Sequence, residues 1–203
     1  MLLKEEEVEL SMTTKEKIIY ESLKLFSING YEAVSTRMIA KAVGVSDTAM
    51  YKHFSGKKEV FDTIITICKE RFISQIKKVE ITKMCWEDVE QVCMSMFQFQ
   101  TQDEWIVMFR KILVVEQFKN QEMAELYQSF FIDKIIDGTV EIFKWLIKEG
   151  YMVDKDPRVL AMELYAPFFM YHTLHPDSEK LQQELRKHVK YFSESVQKRN
   201  VSQ

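Results

Sequence analysis

Polar and charged side chains are concentrated between residues 35 and 57 of this 203-residue chain. Hydroxyl, imidazole and ammonium groups at this density can bind DNA phosphates, and a lysine can also donate to guanine O6 or N7. We therefore identify a set of candidate DNA-binding residues: Ser35, Thr36, Ser46, Asp47, Thr48, Tyr51, Lys52, His53 and Lys57. Thr48 and Lys52 are expected to reach base edges, and the hydroxyl, imidazole and Lys57 groups are expected to contact phosphates. Asp47 can accept from a cytosine amine or simply repel wrong contacts.

Two short helices separated by a glycine turn must position this group. Ser35 can cap the first helix, whose apolar face is formed by Met38, Ile39, Ala42 and Val43. Gly44 is predicted to end that helix in the left-handed conformation, and Ser46 to cap a second helix that carries residues 48–53. This pattern is typical of a helix-turn-helix, whose second helix lies in the DNA major groove.

The run from Ile18 to Val60 resembles the N-terminal domain of the TetR (tetracycline-repressor) family of bacterial transcriptional regulators. The resemblance is carried by Ile18, Leu25, Phe26, Gly30, Tyr31, Ser35, Ile39, Ala40, Gly44, Val45, Ser46, Tyr51, His53, Phe54 and Lys57. Two positions depart from the family pattern, because Thr48 replaces a frequent glycine and Gly56 replaces a frequent Ser or Asp helix cap. The resemblance implies that Tyr51, His53 and Lys57 contact phosphates, that a small-molecule inducer binds in the C-terminal part, and that the protein is a dimer.

Charge is distributed unevenly along the chain, whose formal net charge is −3. Residues 13–58 hold eight Lys or Arg against four Asp or Glu, a net of +4, whereas residues 1–12 have −3 and residues 59–203 have −4. The basic part coincides with the helix-turn-helix, as phosphate binding requires. We expect residues 1–12 to be a flexible acidic tail.

An all-α fold of about nine helices is predicted, because three prolines and five glycines leave few breaks and no strand-like alternation is long enough. The first helix is expected from a capping box at residues 13–16 to about 28, and the two short helices follow it. The next helices are expected over about 57–76 and 86–99, from a second capping box at 101–104 to about 113, and over 120–149. The last two are expected from Asp156-Pro157 through Pro167 to a break at 175–177, and over 178–196. We divide the chain into the tail 1–12, a DNA-binding domain 13–58 and a ligand-binding and dimerisation domain 59–203, connected by the fourth helix.

The sequence also indicates the cellular compartment of the protein. No apolar run is long enough to span a bilayer, and the acidic N-terminus lacks the features of a signal peptide. We expect a cytoplasmic protein without a membrane partner. Cys68, Cys85 and Cys93 are expected to be reduced thiols, with a redox switch as the alternative.

Large, soft side chains are frequent between residues 84 and 175 and are expected mostly in the core. Such side chains also line adaptable apolar pockets. The candidate ligand-binding residues are Phe72, Phe97, Trp105, Met108, Phe109, Phe131 and His172. His172 is either a polar anchor for the ligand or a hydrogen-bonded core residue.

The last two predicted helices carry apolar residues over a wide arc, which requires cover from two directions. The resemblance implies a four-helix bundle formed by these helices from two chains. The candidate dimerisation residues are Leu160, Leu164, Phe168, Tyr171, Leu181, Leu185, Val189 and Phe192. A dimer would also place two recognition helices in adjacent major grooves, about 34–36 Å apart.

Catalysis is not expected, because the chain lacks the serine-hydrolase, zinc-protease and phosphate-loop motifs. His172, His175, Asp177 and His188 fit no standard metal-ligand spacing, so neither a metal nor another cofactor is expected. The sequence predicts a homodimeric repressor that binds a palindromic DNA operator and is released by an apolar or amphipathic effector. The alternatives are a DNA-binding regulator of the same fold without a ligand, controlled by a partner or acting as an activator, and a small-molecule-binding protein without a DNA role.

Overall fold

The computed structural model describes residues 12–80, 86, 88–172 and 178–198. The described residues form nine helices, which confirms the predicted all-α fold: α1 (Thr14–Asn29), α2 (Thr36–Val43), α3 (Asp47–Tyr51), α4 (Lys57–Ile76), α5 (Asp88–Gln102), α6 (Glu104–Glu116), α7 (Gln121–Gln128, a π-helical turn Ser129–Asp133, and Lys134–Lys148), α8 (Pro157–Tyr171) and α9 (Glu179–Val196). Apart from an isolated antiparallel bridge between Met152 and Gln197, these ranges contain no β pairing. None of their helices combines the length and hydropathy needed to cross a bilayer.

Local capping sets most helix starts where the sequence predicts them. At α1, the Thr13 hydroxyl accepts from the Glu16 amide and the Glu16 carboxylate accepts from the Thr13 amide at 2.7 Å. These hydrogen bonds lower the pKa of the Glu16 carboxyl group. Asp156 caps α8 immediately before Pro157, and the Ser178 hydroxyl accepts from Leu181 at the start of α9.

The second predicted capping box, at residues 101–104, is wrong. Thr101 is buried inside α5, which continues to Gln102, and its hydroxyl donates to the Phe97 carbonyl at 2.7 Å. The hydroxyl therefore bonds backward along its own helix instead of capping the next one. The long helix expected over 120–149 is present as α7, with a π-helical turn in its middle.

The chain divides into two compact units. The first comprises the described residues up to Arg71 together with Trp105–Tyr127, and the second comprises Phe72–Glu104 and the residues from Gln128 onward. The first unit therefore includes α6 and the start of α7 besides the helix-turn-helix. The predicted domain boundary at residue 58 stays a prediction, and α4 contributes residues to both units.

Each unit has its own aromatic core. In the first, Phe26, Tyr31 and Phe61 pack with ring centroids 4.9–5.9 Å apart. In the second, Phe72 packs edge to face against three other rings, with ring centroids 5.1–5.4 Å apart: Phe99, Phe130 and Phe131. Such tilted and edge-to-face contacts are the favoured arrangements of aromatic rings.

Several predictions concern residues outside the described ranges. These are the acidic tail apart from Met12, part of the polar break before α5, the thiol of Cys85, and the helix break at 175–177. Cys68 and Cys93 are present as thiols. Within the described ranges no group of three His, Cys, Asp or Glu side chains could hold a metal ion, and His175 and Asp177 lie outside them.

Candidate DNA-binding surface and apolar cavity

The helix-turn-helix has the predicted caps. The Ser35 hydroxyl accepts from Met38 at 3.3 Å, and the Ser46 hydroxyl accepts from Ala49 at 3.1 Å. Between them, Gly44 ends α2 in the left-handed conformation with φ +76°. The second helix is shorter than predicted, because α3 ends at Tyr51 and residues 52 and 53 form the following turn.

Most candidate DNA-binding side chains lie on the surface. Ser35, Ser46, Asp47, Thr48, Tyr51, Lys52 and His53 are exposed, and Thr36 is half-buried. Tyr51 is 55% exposed, whereas Phe54 is 3% exposed and belongs to the core. The Thr36 and Tyr51 hydroxyls lie 3.3 Å apart, which connects the start of α2 to the end of α3. This part of the structure thus presents hydroxyl, imidazole and ammonium groups to solvent, as a DNA contact requires.

Lys57 differs from the other candidates because its ammonium group has partners inside the protein. Its Nζ donates to the carbonyl oxygens of Tyr31 at 3.0 Å and Glu32 at 3.3 Å. It also lies 4.4 Å from the centre of the Tyr31 ring and 3.5 Å from the Glu32 carboxylate. The side chain is only 26% exposed. Phosphate contact by Lys57 stays a prediction, and the structure adds that this lysine holds the turn before α2.

Glu116, at the end of α6, holds the same turn from its other side and was not identified from the sequence. Its buried carboxylate accepts from the Tyr31 amide at 2.9 Å. A Cβ atom at Gly30, where φ is +82°, would lie only 2.8 Å from this carboxylate oxygen. No local pattern could indicate the contact, because the two residues are 85 positions apart.

Two further basic residues, Arg37 and Lys41, are exposed on α2 and were also missed as candidates. The basic surplus of residues 13–58 was the available signal, and Arg37 directly follows the candidate Thr36. Both belong to the set of residues that could contact phosphates.

The second unit contains an apolar cavity of about 290 Å³. It lies among the end of α4, α5, the last part of α7 and α8, and is lined by Ile76, Val79, Val89, Val92, Cys93, Met96, Lys134, Ile135, Gly138, Thr139, Glu141, Ile142, Phe143, Leu164 and Tyr165. Burial, with a smaller effect of Glu90, raises the pKa of the Cys93 thiol to about 12. The thiol is therefore uncharged at neutral pH, and the charged residues of the lining are Lys134 and Glu141.

None of the seven candidate ligand-binding residues lines this cavity. Phe72, Phe97, Phe109 and Phe131 are fully buried, and Met108 is also buried. Trp105 packs against Tyr20 at 5.9 Å in the first unit, and His172 stacks on Phe97 at 5.8 Å in the second. Large rings fill the core here, and smaller aliphatic side chains leave the space. Ligand contact by the seven candidate residues stays a prediction.

The candidate dimerisation residues lie mostly inside this chain, and their role at an interface stays a prediction. Seven of them are buried in the core of this chain, namely Leu160, Leu164, Phe168, Leu181, Leu185, Val189 and Phe192, and Tyr171 is half-buried. The exposed apolar side chains of these helices are instead Val159, Met162 and Met170 on α8 and Tyr191 on α9. Hydrophobic spacing identifies the buried face of a helix but does not say whether the same chain or a second one covers it.

Comparison with known proteins gives the following matches. Residues 18–64 match the sequence model of the family described as bacterial regulatory proteins, tetR family. The chain is 26% identical to the uncharacterized HTH-type transcriptional regulator YhgD of Bacillus subtilis, over 84% of this chain and 91% of that protein. It is also 26% identical to IcaR of Staphylococcus aureus, the HTH-type negative transcriptional regulator of the biofilm operon icaADBC, over 66% of this chain and 77% of IcaR. Among solved structures, the SmeT–triclosan complex has the same fold, with a TM-score of 0.70 and 20% identity over 95% of both chains.

Proposed function

This chain belongs to the TetR family of bacterial transcriptional regulators, and we propose that it is a ligand-responsive repressor that binds a palindromic operator as a homodimer. Regulators of this family bind DNA and are not enzymes. We place the protein in the cytoplasm, where the operator DNA is. The observation that carries the proposal is the capped helix-turn-helix with Thr48 and Lys52 exposed on and just after α3.

Sequence reading is assigned to Thr48 and Lys52, and binding affinity to the surrounding residues. A lysine can donate to guanine, and a threonine can contact either type of base pair. Tyr51, His53 and the exposed serines contribute contacts to phosphates, which position the protein without reading sequence. The repressor assignment is supported by IcaR, a negative regulator with which the chain shares 26% identity.

The dimer is assigned to the exposed apolar face of the last two helices. Val159, Met162 and Met170 occupy one side of α8, and each is more than half exposed. Tyr191, on α9, is 68% exposed. Large apolar side chains that share an exposed helix face favour association with a second copy, because two identical faces can bury each other.

The apolar cavity is assigned to the effector. A ligand is bound in the related SmeT–triclosan structure, which supports a ligand in this chain. Residue Ile76 of α4 lines the cavity, and Lys57, the first residue of the same helix, holds the turn before α2. A ligand that alters α4 would change the spacing of the two recognition helices in the dimer. A coupling of about 1–3 kcal/mol would lower operator affinity roughly 5–150-fold.

The test of DNA function is selection of bound duplexes from a random pool at near-physiological salt. We expect a two-fold-symmetric site with half-sites about one helical turn apart. Binding that depends on salt but not on sequence would contradict the operator proposal, because phosphate contacts alone would then account for it. Sedimentation of the protein with and without the selected duplex tests the dimer independently.

A further inference from the structure

A polar cleft of about 420 Å³ adjoins the apolar cavity of the second unit. It is lined by Gln75, Lys78, Val79, Glu80, Asp88, Gln91, Val92, Ser95 and Met96. Three of these residues, Val79, Val92 and Met96, also line the apolar cavity. The two spaces therefore border the same three side chains.

The wall of the cleft carries an ordered chain of hydrogen bonds. Lys78 Nζ donates to Gln75 Oε1 at 2.8 Å, and Gln75 Nε2 donates to Ser95 Oγ at 3.0 Å. Gln75 is only 8% exposed, so its amide is held in place. The cleft also contains one cationic and two anionic side chains, Lys78, Glu80 and Asp88. Mixed charge beside amide and hydroxyl groups favours an uncharged polar group that both donates and accepts hydrogen bonds.

The walls of the apolar cavity suit an aliphatic chain better than a planar ring. Among the described lining residues, the aromatic ones are Phe143 and Tyr165. Each already stacks on a core ring, Phe143 on Phe192 at 5.9 Å and Tyr165 on Phe168 at 5.6 Å. At roughly 30 Å³ for a water-sized group, a cavity of 290 Å³ has room for about eight to ten carbon atoms.

Gly138 leaves part of this cavity open. It lies within α7 and lines the cavity, and an added Cβ atom would meet nothing within 4 Å. A glycine inside a helix lowers helix stability relative to alanine. The backbone at Gly138 has an ordinary helical conformation, so it does not require glycine. The effect of the missing side chain is to leave room in the cavity.

We propose that the effector is a single-chain amphiphile, with an aliphatic tail of about eight to ten carbon atoms in the apolar cavity and an uncharged hydroxyl or amide head in the polar cleft. The proposal rests on the proposed ligand-responsive function and adds the chemical class of the ligand. Gly138 sets the tail length, and the Gln75–Ser95 wall selects the head.

Titration with n-alkanols from butanol to dodecanol, followed by calorimetry, tests the tail. The dissociation constant should fall about fourfold for each added methylene, until the cavity is full, and then level off. Decanoate and decylammonium should bind less tightly than decanol, because a charged head is not matched by the cleft. A planar compound of similar volume, 2-naphthol, should also bind less tightly. Tighter binding of 2-naphthol or of either ion would overturn the assigned class.

The substitution Gly138→Leu provides the matched test, with Gly138→Ala as its control. Leucine adds four carbon atoms at the cavity wall, so the optimal alkanol should become about three to four carbons shorter. Alanine should leave the optimum within about one carbon, and circular dichroism checks that both variants fold. An unchanged optimum in a folded Gly138→Leu variant would overturn the tail assignment.

Measuring operator binding in the same experiments separates this inference from the proposed function. Alkanols that bind without weakening operator affinity would support the ligand class and contradict the proposed coupling. If 2-naphthol releases the operator while no alkanol binds, the ligand class is wrong and the repressor function stands. Tight alkanol binding together with operator release supports both.

Discussion

The substitution Glu116→Ala tests whether α6 holds the turn that precedes the helix-turn-helix. In the structure, the buried Glu116 carboxylate accepts from the Tyr31 amide at 2.9 Å. The Tyr31 carbonyl is bound from the other side by Lys57 at 3.0 Å. Removing the carboxylate leaves the Tyr31 amide without this acceptor, in a turn that leads directly to the Ser35 cap.

The magnitude follows from the chemistry of this amide. Loss of a buried hydrogen-bond partner costs about 1–3 kcal/mol, so Glu116→Ala should lower the free energy of unfolding by that amount. Glu116→Gln keeps a carbonyl oxygen in place of the carboxylate and loses only the charge assistance, so it should cost about 1 kcal/mol or less. Glu122→Gln is the surface control, because its 3.6 Å ion pair with Lys58 is exposed on both sides and such pairs contribute about 0–1 kcal/mol.

Two assays measure the effect. Urea unfolding gives the change in stability, and amide hydrogen exchange at Tyr31 reports the local contact directly. We expect Tyr31 to lose protection in Glu116→Ala and to keep most of it in Glu116→Gln and Glu122→Gln. If the alanine variant has wild-type stability and wild-type protection at Tyr31, Glu116 does not hold this turn.

Four other predictions concern separate parts of the molecule. Random-pool selection should show that Lys52→Ala changes which operator bases are preferred, and an unchanged preference would contradict base reading. Lys57→Ala should weaken binding to all duplexes alike and should also destabilise the protein in urea unfolding. Met162→Lys should convert dimers to monomers in sedimentation without unfolding the chain, and a dimer that persists would place the interface elsewhere. Gly138→Ala should raise the free energy of unfolding by about 0.5–1 kcal/mol, because alanine favours the helix and the space is free; a loss of stability would refute this. Cys93, whose thiol pKa is raised to about 12, should react with iodoacetamide at pH 8 more slowly in the folded protein than in urea. Equal rates would contradict the raised pKa.

Local patterns were sufficient to predict the capped helix-turn-helix. Ser35, Gly44 and Ser46 act on backbone groups within four residues of themselves, so their roles follow from spacing alone. The same holds for the Thr13 capping box and for Asp156 before Pro157. Thr101 shows the limit of such reasoning. It has the spacing of a capping box, but its hydroxyl donates to the carbonyl of Phe97 in its own helix.

The choice between faces required the folded chain. Hydrophobic spacing marked Leu164 and Leu185 as apolar contacts, and both are buried within this chain. The exposed face of α8, with Met162 and Met170, carries fewer apolar residues and gave no signal. The cavity was also missed, because its position depends on how side chains from different helices pack in the folded chain.

The sequence by itself determined the helical class, the capped helix-turn-helix and the resemblance to the TetR family, because these depend on contacts between residues a few positions apart. Only the tertiary structure decided that Glu116 and Lys57 hold one turn from two sides, that most of α6 belongs to the same compact unit as the helix-turn-helix, and that an aliphatic cavity adjoins a polar cleft. These features join residues that are tens of positions apart. Their free energies depend on distance and burial, which a linear pattern does not contain.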